Sequence, residues 1–350
     1  MELATRDRMD VADTPATIIG RTQNPLTRRV RWWSIRTASA ALVILAGLSV
    51  FSGPRIRIAI THDFPDPMVI QAEGGYYAYS TQSGYGDHIW HVPVQRADSP
   101  QGSWSALGDA MPRPPAWTLR DGAGHTDIWA PEVVDRNDGT YLLYFTAPAT
   151  RQNVHCIGTA VATSPAGPFD AAPQPLICVP ETHDTNDPSI FVDDDGSHYL
   201  LYANGWAGST IWLQGISTDG LTLVGCPKAL IQADRPEEAS IVEAPTLTKR
   251  LGKYVLFYSG NAYNNGSYFV NYATAPTLDG KFEKHPGALL TSKDIGVEFI
   301  SPGGQSLLPA RDPSSLVFHA FTGPYQRSML VAGLTWDAEG APVVHLPQPD

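Results

Sequence analysis

One pattern, written five times along the chain, constrains its fold more than any other feature. In Asn186–Asn204, NDPSIFVDDDGSHYLLYAN, an acidic residue and a proline lead into a short apolar strand (Ser189–Val192), an Asp195-Gly196 turn and a tyrosine-rich strand (His198–Tyr202). Two apolar runs joined by Asp-Gly are the strongest short-range signal for a hairpin. Asp66-Pro67 before MVIQAEGGYYAYST, Ala130-Pro131 before EVVDRNDGTYLLYFTA, Ala244-Pro245 before TLTKRLGKYVLFYSGN and Ser301-Pro302 before GGQSLLPARDPSSLVFHAF repeat it. Prolines 67, 131, 188, 245 and 302 are 64, 57, 57 and 57 residues apart. A unit of that length holds four short strands and a loop, and is somewhat longer than the usual propeller blade of roughly 40–50 residues. The expectation is an all-β, five-bladed β-propeller over residues 58–347. Its fifth copy reads as degenerate, because glycines take the place of its first strand residues.

The 31 Gly, 30 Pro, 14 Tyr and 9 Trp fit many tight turns between aromatic strands. No apolar pattern at helical spacing runs through the body of the chain. The net charge is −11, and residues 1–57 carry nine Arg against four acids, which leaves −16 for the remainder. A body so acidic argues against nucleic acid as a partner and suits a neutral substrate.

Residues 1–53 form a separate basic lead. Arg28, Arg29, Arg31 and Arg36 precede an apolar run from Ala38 to Phe51, followed by small residues at Ser52-Gly53. The run is short for a membrane span of about 20 residues and matches the upper end of a signal-peptide core. A cleaved export signal and an uncleaved anchor both remain open, and either places the body outside the cell, secreted or anchored at the outer face of the cytoplasmic membrane. Contact with membrane is expected only through this segment. Export permits disulfides. Of the three cysteines, Cys156 and Cys178 share the second repeat and are the candidate pair, which leaves Cys226 as a buried free thiol. No Cys/His spacing resembles a zinc site.

In a propeller the first strand of each blade lines the axis, so residues that open the repeats converge at one end of it. Asp66 precedes Pro67, Asp187 precedes Pro188, and Glu243 precedes Ala244-Pro245. One acid before a proline merely begins a turn. Three of them at one place in the repeat, where the other copies have Ala130 and Ser301, mark a pocket of carboxylates. The Asp193–Gly196 run lacks calcium-loop spacing and reads as a solvated hairpin turn.

These residues resemble glycoside hydrolase family 43, five-bladed propeller enzymes acting on arabinose- and xylose-containing polysaccharides. The likeness runs through Pro65-Asp66-Pro67 with Tyr76-Tyr77, Trp129-Ala130-Pro131-Glu132-Val133, Asp187-Pro188 with Asp193–Gly196, Glu243-Ala244-Pro245 with Phe257-Tyr258-Ser259, Arg327 and TWDAEGAPVV, covering about residues 60–345. It implies Asp66 as general base, Glu243 as general acid, and Asp187 as the residue that raises and positions the acid. The physics agrees, because an inverting hydrolase opposes a carboxylate that activates water to a carboxylic acid that protonates the leaving oxygen. Trp129 and Arg327 are implied as parts of the sugar pocket, and Trp129 is equally readable as blade packing. Many members carry a Gly-Pro-Gly-His stretch in the fifth repeat, associated with an axial ion or water cluster. Here the stretch reads Ser301-Pro302-Gly303-Gly304-Gln305, with Gln305 taken in place of the histidine and as a substrate-binding residue. Gln305 is a weak metal ligand, so no cofactor is expected and an axial calcium or sodium ion loses its implied ligand.

The expected activity is glycosidic hydrolysis of arabinan, arabinoxylan or derived oligosaccharides, foremost as an exo-acting α-L-arabinofuranosidase. A β-D-xylosidase or an endo-arabinanase is the alternative within the family, and an inactive glycan-binding surface propeller is the alternative outside enzymes. Retaining β-fructosidases fit less well: they place Arg-Asp-Pro at the middle acid and Glu-Cys at the last, where this chain has Asn186-Asp187-Pro188 and Glu243-Ala244.

Overall fold

The computed structural model describes residues 57–151, 154–182, 184–205, 208–296 and 299–346. The basic lead, the apolar run and the expected cleavage site lie outside them. Among the described residues no helix is long and apolar enough to cross a membrane.

Five antiparallel sheets follow one another along the chain. Their innermost strands are Met68–Ala72, Trp129–Asp135, Thr185–Val192, Val242–Arg250 and Ile300–Leu308. Blades 1 to 4 each add three more strands in order, and blade 5 closes the ring. Its third strand, Gln326–Trp336, pairs along one stretch with Ile58–Ile60 from the start of the body and along another with Pro342–His345 from its end. Joining both termini in one blade leaves the ring no open seam, as the edge problem of β-sheets requires.

The second strands explain the repeated aromatic motif. Tyr141–Pro148 is buried at every position but its last, although an ordinary half-buried strand alternates. Its Tyr141, Leu143 and Phe145 pack with Tyr77, Tyr79 and Val94 of blade 1, while Leu142 and Tyr144 pack with Leu200, Tyr202 and Ile216 of blade 3. A strand sandwiched between two blades has no solvent face, so both of its sides are apolar. Each such side chain contributes roughly 1.5–3 kcal/mol by burial. The same arrangement fills the seams between blades 3 and 4, 4 and 5, and 5 and 1.

Chain direction then sorts the loops. Inner strands start at one end of the axis and return through two-residue turns such as Glu73-Gly74 and Leu251-Gly252, all with positive φ, as tight hairpins require. The longer links between second and third strands, and between blades, gather at the end where the inner strands begin. One of them carries an added hairpin, Ser83–Tyr85 with His88–Trp90. At the other end, a channel of about 690 Å³ opens between the inner strands.

Three readings need correction. Blade 5 is not degenerate: Ile300–Leu308 is a full inner strand, and its glycines make room for side chains of the site. Cys226 is exposed, because it lies on the outermost strand of blade 3, beyond any seam. Asp193 is buried in spite of its turn, where it accepts from Tyr254 Oη (2.6 Å) and Lys249 Nζ (3.1 Å) of blade 4 and so ties two blades together.

Candidate active site

The prolines that mark the repeats stand at a bend of the inner strands. The residue before each, Asp66, Ala130, Asp187, Ala244 and Ser301, has φ between 44° and 59°. The ladder slips at this place in blades 2 to 5. Positive φ on a residue with a Cβ costs of order 1–3 kcal/mol and persists only where the surroundings hold it. Here neighbouring blades do so. Ala130 N donates to Thr81 Oγ1 (2.8 Å), Asp187 N to Thr146 Oγ1 (3.2 Å) and Asp66 N to His319 Nδ1 (3.0 Å), and in blade 5 Gly304 N, past the bend at Ser301, donates to Ser259 Oγ (3.1 Å). Thr146, Ser259 and His319 lie on the second strand of the preceding blade, and Thr81 lies just past the end of it.

Blade 3 breaks this pattern, and the break places Asp187. The residue opposite Asn186 on its second strand is Ala203, which offers no acceptor. The carboxylate of Asp187 takes over, and Ala244 N donates to its Oδ2 at 2.8 Å. Asp187 thereby sits one peptide from Glu243.

Asp66, Asp187 and Glu243 come together at the end of the axis where the inner strands begin. Burial raises the Asp187 carboxyl first, the charge of Asp66 adds to this, and the Ala244 N–H opposes it. Glu243 is pushed up to about 8, by burial first and by the Asp187 charge second, while the hydrogen bond from Tyr268 pulls it down. Tyr268 Oη donates to Glu243 Oε1 at 2.7 Å. Asp66 receives Thr81 Oγ1 at 2.6 Å, and its Oδ2 lies 3.9 Å from Arg327 Nη1. One acid is therefore held protonated at neutral pH, and another carboxyl is held among donors and a cation.

Trp129 stacks on His155 with ring centroids 4.1 Å apart, and His155 Nδ1 lies 2.8 Å from Asp184 Oδ1. Its half-buried ring is thus braced from one side. Arg327 is pinned through its backbone, whose N–H donates to Asp63 Oδ1 at 2.7 Å. Cys156 and Cys178 are joined as a disulfide just behind His155.

Gln305 does not stand in for an axial histidine. Its Oε1 accepts from Ser259 Oγ at 2.7 Å and its Nε2 donates to Ala244 O. Counted from Pro302-Gly303, the residue at the histidine position is Gly304, and the ring of His319, on the second strand, lies against it and accepts from Asp66 N. A Cβ at Gly304 would lie 2.6 Å from both Asp66 Oδ1 and His319 Cε1, and its φ is +57°. A Cβ at Gly303 would fall 2.0 Å from the Tyr268 ring. The glycine pair lets Asp66 and Tyr268 approach the same strand. His319 is fully buried and stays neutral, since burial drives its pKa down to about 3. The axial cavity beneath the carboxylates measures about 40 Å³, with Gln305 and Glu132 among its lining. Among the described residues no three His, Cys, Asp or Glu side chains are grouped to hold a metal, so these residues do not fit an axial cation site built from side chains.

Tyr268, Thr81 and His319 were not legible in the sequence. They lie on second strands or the loops that follow, away from the prolines that set the repeat register.

Comparison with known proteins identifies the family. The model of glycosyl hydrolases family 43 matches residues 57–342. Xylosidase/arabinosidase 43A of Humicola insolens is 40% identical over 81 residues, only 23% of either chain. A probable arabinan endo-1,5-α-L-arabinosidase B of Aspergillus fumigatus (strain CBS 144.89 / FGSC A1163 / CEA10) is 28% identical over 300 residues, 73% of this chain and 77% of the relative. The solved structure of a thermostable family-43 glycoside hydrolase superposes with a TM-score of 0.70 at 25% identity, covering 85% of this chain and 97% of the other. The chain belongs to glycosyl hydrolases family 43 and is a glycosidase that hydrolyses glycosidic bonds.

Proposed function

We propose that this glycosidase acts on arabinan, arabinoxylan and their oligosaccharides by inversion, foremost as an exo-acting α-L-arabinofuranosidase. The observation that carries the mechanism is the pairing of a raised, Tyr268-bound Glu243 with a differently held Asp66. Asp66 takes a proton from water as the water oxygen bonds the anomeric carbon. The bond to the leaving oxygen breaks, and Glu243 gives that oxygen its proton. Asp187, anchored on Ala244 N, keeps the acid protonated by its charge and fixes the peptide that carries it. Trp129 and Arg327 bind the sugar beside these groups.

Arabinose-linked substrates are supported by the Aspergillus fumigatus relative, named for arabinan, and by the Humicola insolens one, named for both sugars. The same names favour two neighbouring readings, endo-arabinanase and β-D-xylosidase. An exported body, secreted or held outside by its N-terminal segment, is supported by the Arg-rich lead before an apolar run and by the Cys156–Cys178 disulfide.

The test is hydrolysis of p-nitrophenyl α-L-arabinofuranoside and p-nitrophenyl β-D-xylopyranoside, with Asp66→Ala and Glu243→Ala as controls. Turnover of the arabinoside that both substitutions abolish is expected, with arabinose as the early product from linear arabinan. Early oligomers identify an endo-arabinanase, preference for the xyloside a xylosidase, and full activity in Glu243→Ala refutes the acid assignment.

A further inference from the structure

Loop 261–268, between the second and third strands of blade 4, does more than deliver Tyr268 to the acid. It also carries Tyr263, which is 42% exposed. Tyr263 lies parallel to Phe321 at the end of the second strand of blade 5, with centroids 6.4 Å apart and planes 9° apart. Ile300, cross-strand partner of Phe321, is 46% exposed. These three apolar side chains adjoin one another at the surface, with Phe321 in the middle and partly buried.

The patch is continuous with the reacting groups. The Arg327 guanidinium sits over the Tyr263 ring, 4.9 Å from its centroid, and the same side chain lies 3.9 Å from Asp66 Oδ2. From Tyr263 the path to the base is therefore one side chain long. From Tyr268, five residues further on, the acid is one hydrogen bond away. The loop is also built rather than slack. Asn261 Nδ2 donates to Glu237 O (2.8 Å), Asn265 Nδ2 to Asn261 Oδ1 (2.9 Å), and Gly266 N to Ser301 Oγ (3.1 Å). A ring held in place before binding costs little entropy to use.

We infer that Tyr263 and Phe321 form an aromatic platform for a second pentose unit of the substrate, the one next to the sugar held by Asp66 and Arg327. A sugar ring has a face of C–H groups that gains by leaving water against an aromatic surface, while its hydroxyl rim stays solvated. Two nearly parallel rings in contact, with Ile300 beside Phe321, present such a surface, and the cation over Tyr263 fixes the angle of that ring. The platform makes the enzyme prefer chains over single glycosides. This rests on the functional reading above for the identity of the sugar.

The experiment compares the parent with Tyr263→Ala, Phe321→Ala and Tyr263→Phe on linear 1,5-α-L-arabinohexaose and on p-nitrophenyl α-L-arabinofuranoside, with β-1,4-xylohexaose and p-nitrophenyl β-D-xylopyranoside run beside them. For each alanine variant the ratio of hexasaccharide to aryl-glycoside kcat/KM should fall about tenfold, through KM, and Tyr263→Phe should restore it. An equal loss on short and long substrates overturns the platform, because Tyr263 would then serve only to hold Arg327. An unchanged ratio overturns it as well. If the parent turns over neither series, the functional reading falls and calorimetric titration with the same two hexasaccharides decides the platform. Binding weakened about tenfold in Tyr263→Ala keeps it, and equal or absent binding removes it.

Discussion

Tyr268→Phe tests the acid assignment through a direction rather than a loss. The phenol donates a 2.7 Å hydrogen bond to Glu243 and pulls the acid's pKa down against burial and the Asp187 charge. A hydrogen bond to a charged acceptor contributes roughly 1.5–3 kcal/mol, and one to a neutral acceptor roughly 0.5–1.5. The difference, about 1–1.5 kcal/mol, is what the phenol contributes to ionisation. At 1.36 kcal/mol per pH unit, removing it moves the Glu243 titration up by about one unit. Because the acid works protonated, activity is lost as pH rises through this titration, which lies at about 8 in the parent. The assay is kcat/KM for the p-nitrophenyl glycoside from pH 4 to pH 10, which reports the groups of the free enzyme. The alkaline limb should shift upward by about one unit while the acid limb stays. A limb that stays in place or moves down refutes the reasoning.

Asp187→Asn removes the second cause of the raised acid and should move the same limb downward, with kcat falling at pH 8 more than at pH 5. Gly304→Ala drives a Cβ to within 2.6 Å of Asp66 Oδ1 at a positive φ, and should lower kcat at least about 100-fold with a fold still detectable by circular dichroism. Glu132 is pushed up to about 8 by burial, against a hydrogen bond from Ile190 N, so the folded chain binds its proton more tightly than the unfolded chain does. Stability should therefore decline as pH rises from the unfolded value of 4.5 toward 8, by at most about 5 kcal/mol, and Glu132→Gln should flatten that decline in urea titrations. Reduction of Cys156–Cys178, which closes a loop of 22 residues, should cost about 3 kcal/mol, read as a lower urea midpoint with dithiothreitol.

By itself the sequence determined the repeat, and with it the blades. The prolines, 64 and then 57 residues apart, mark the bend of each inner strand, and the aromatic runs after them are apolar on both sides because a blade is packed on both faces. It also determined that Asp66, Asp187 and Glu243 stand at equivalent bends, which is a statement about register alone. What only the tertiary structure decided is what each of them meets. That Ala203 leaves Asp187 to cap Ala244, that Gly303 and Gly304 admit Tyr268 and Asp66, and that His319 accepts from Asp66 N all depend on contacts between blades. Such contacts join residues 35 to 253 positions apart, and no local pattern encodes them. The fifth repeat shows the difference plainly: as a string its glycines weaken the strand, and in the ring their missing side chains leave the space that Tyr268, Asp66 and His319 take.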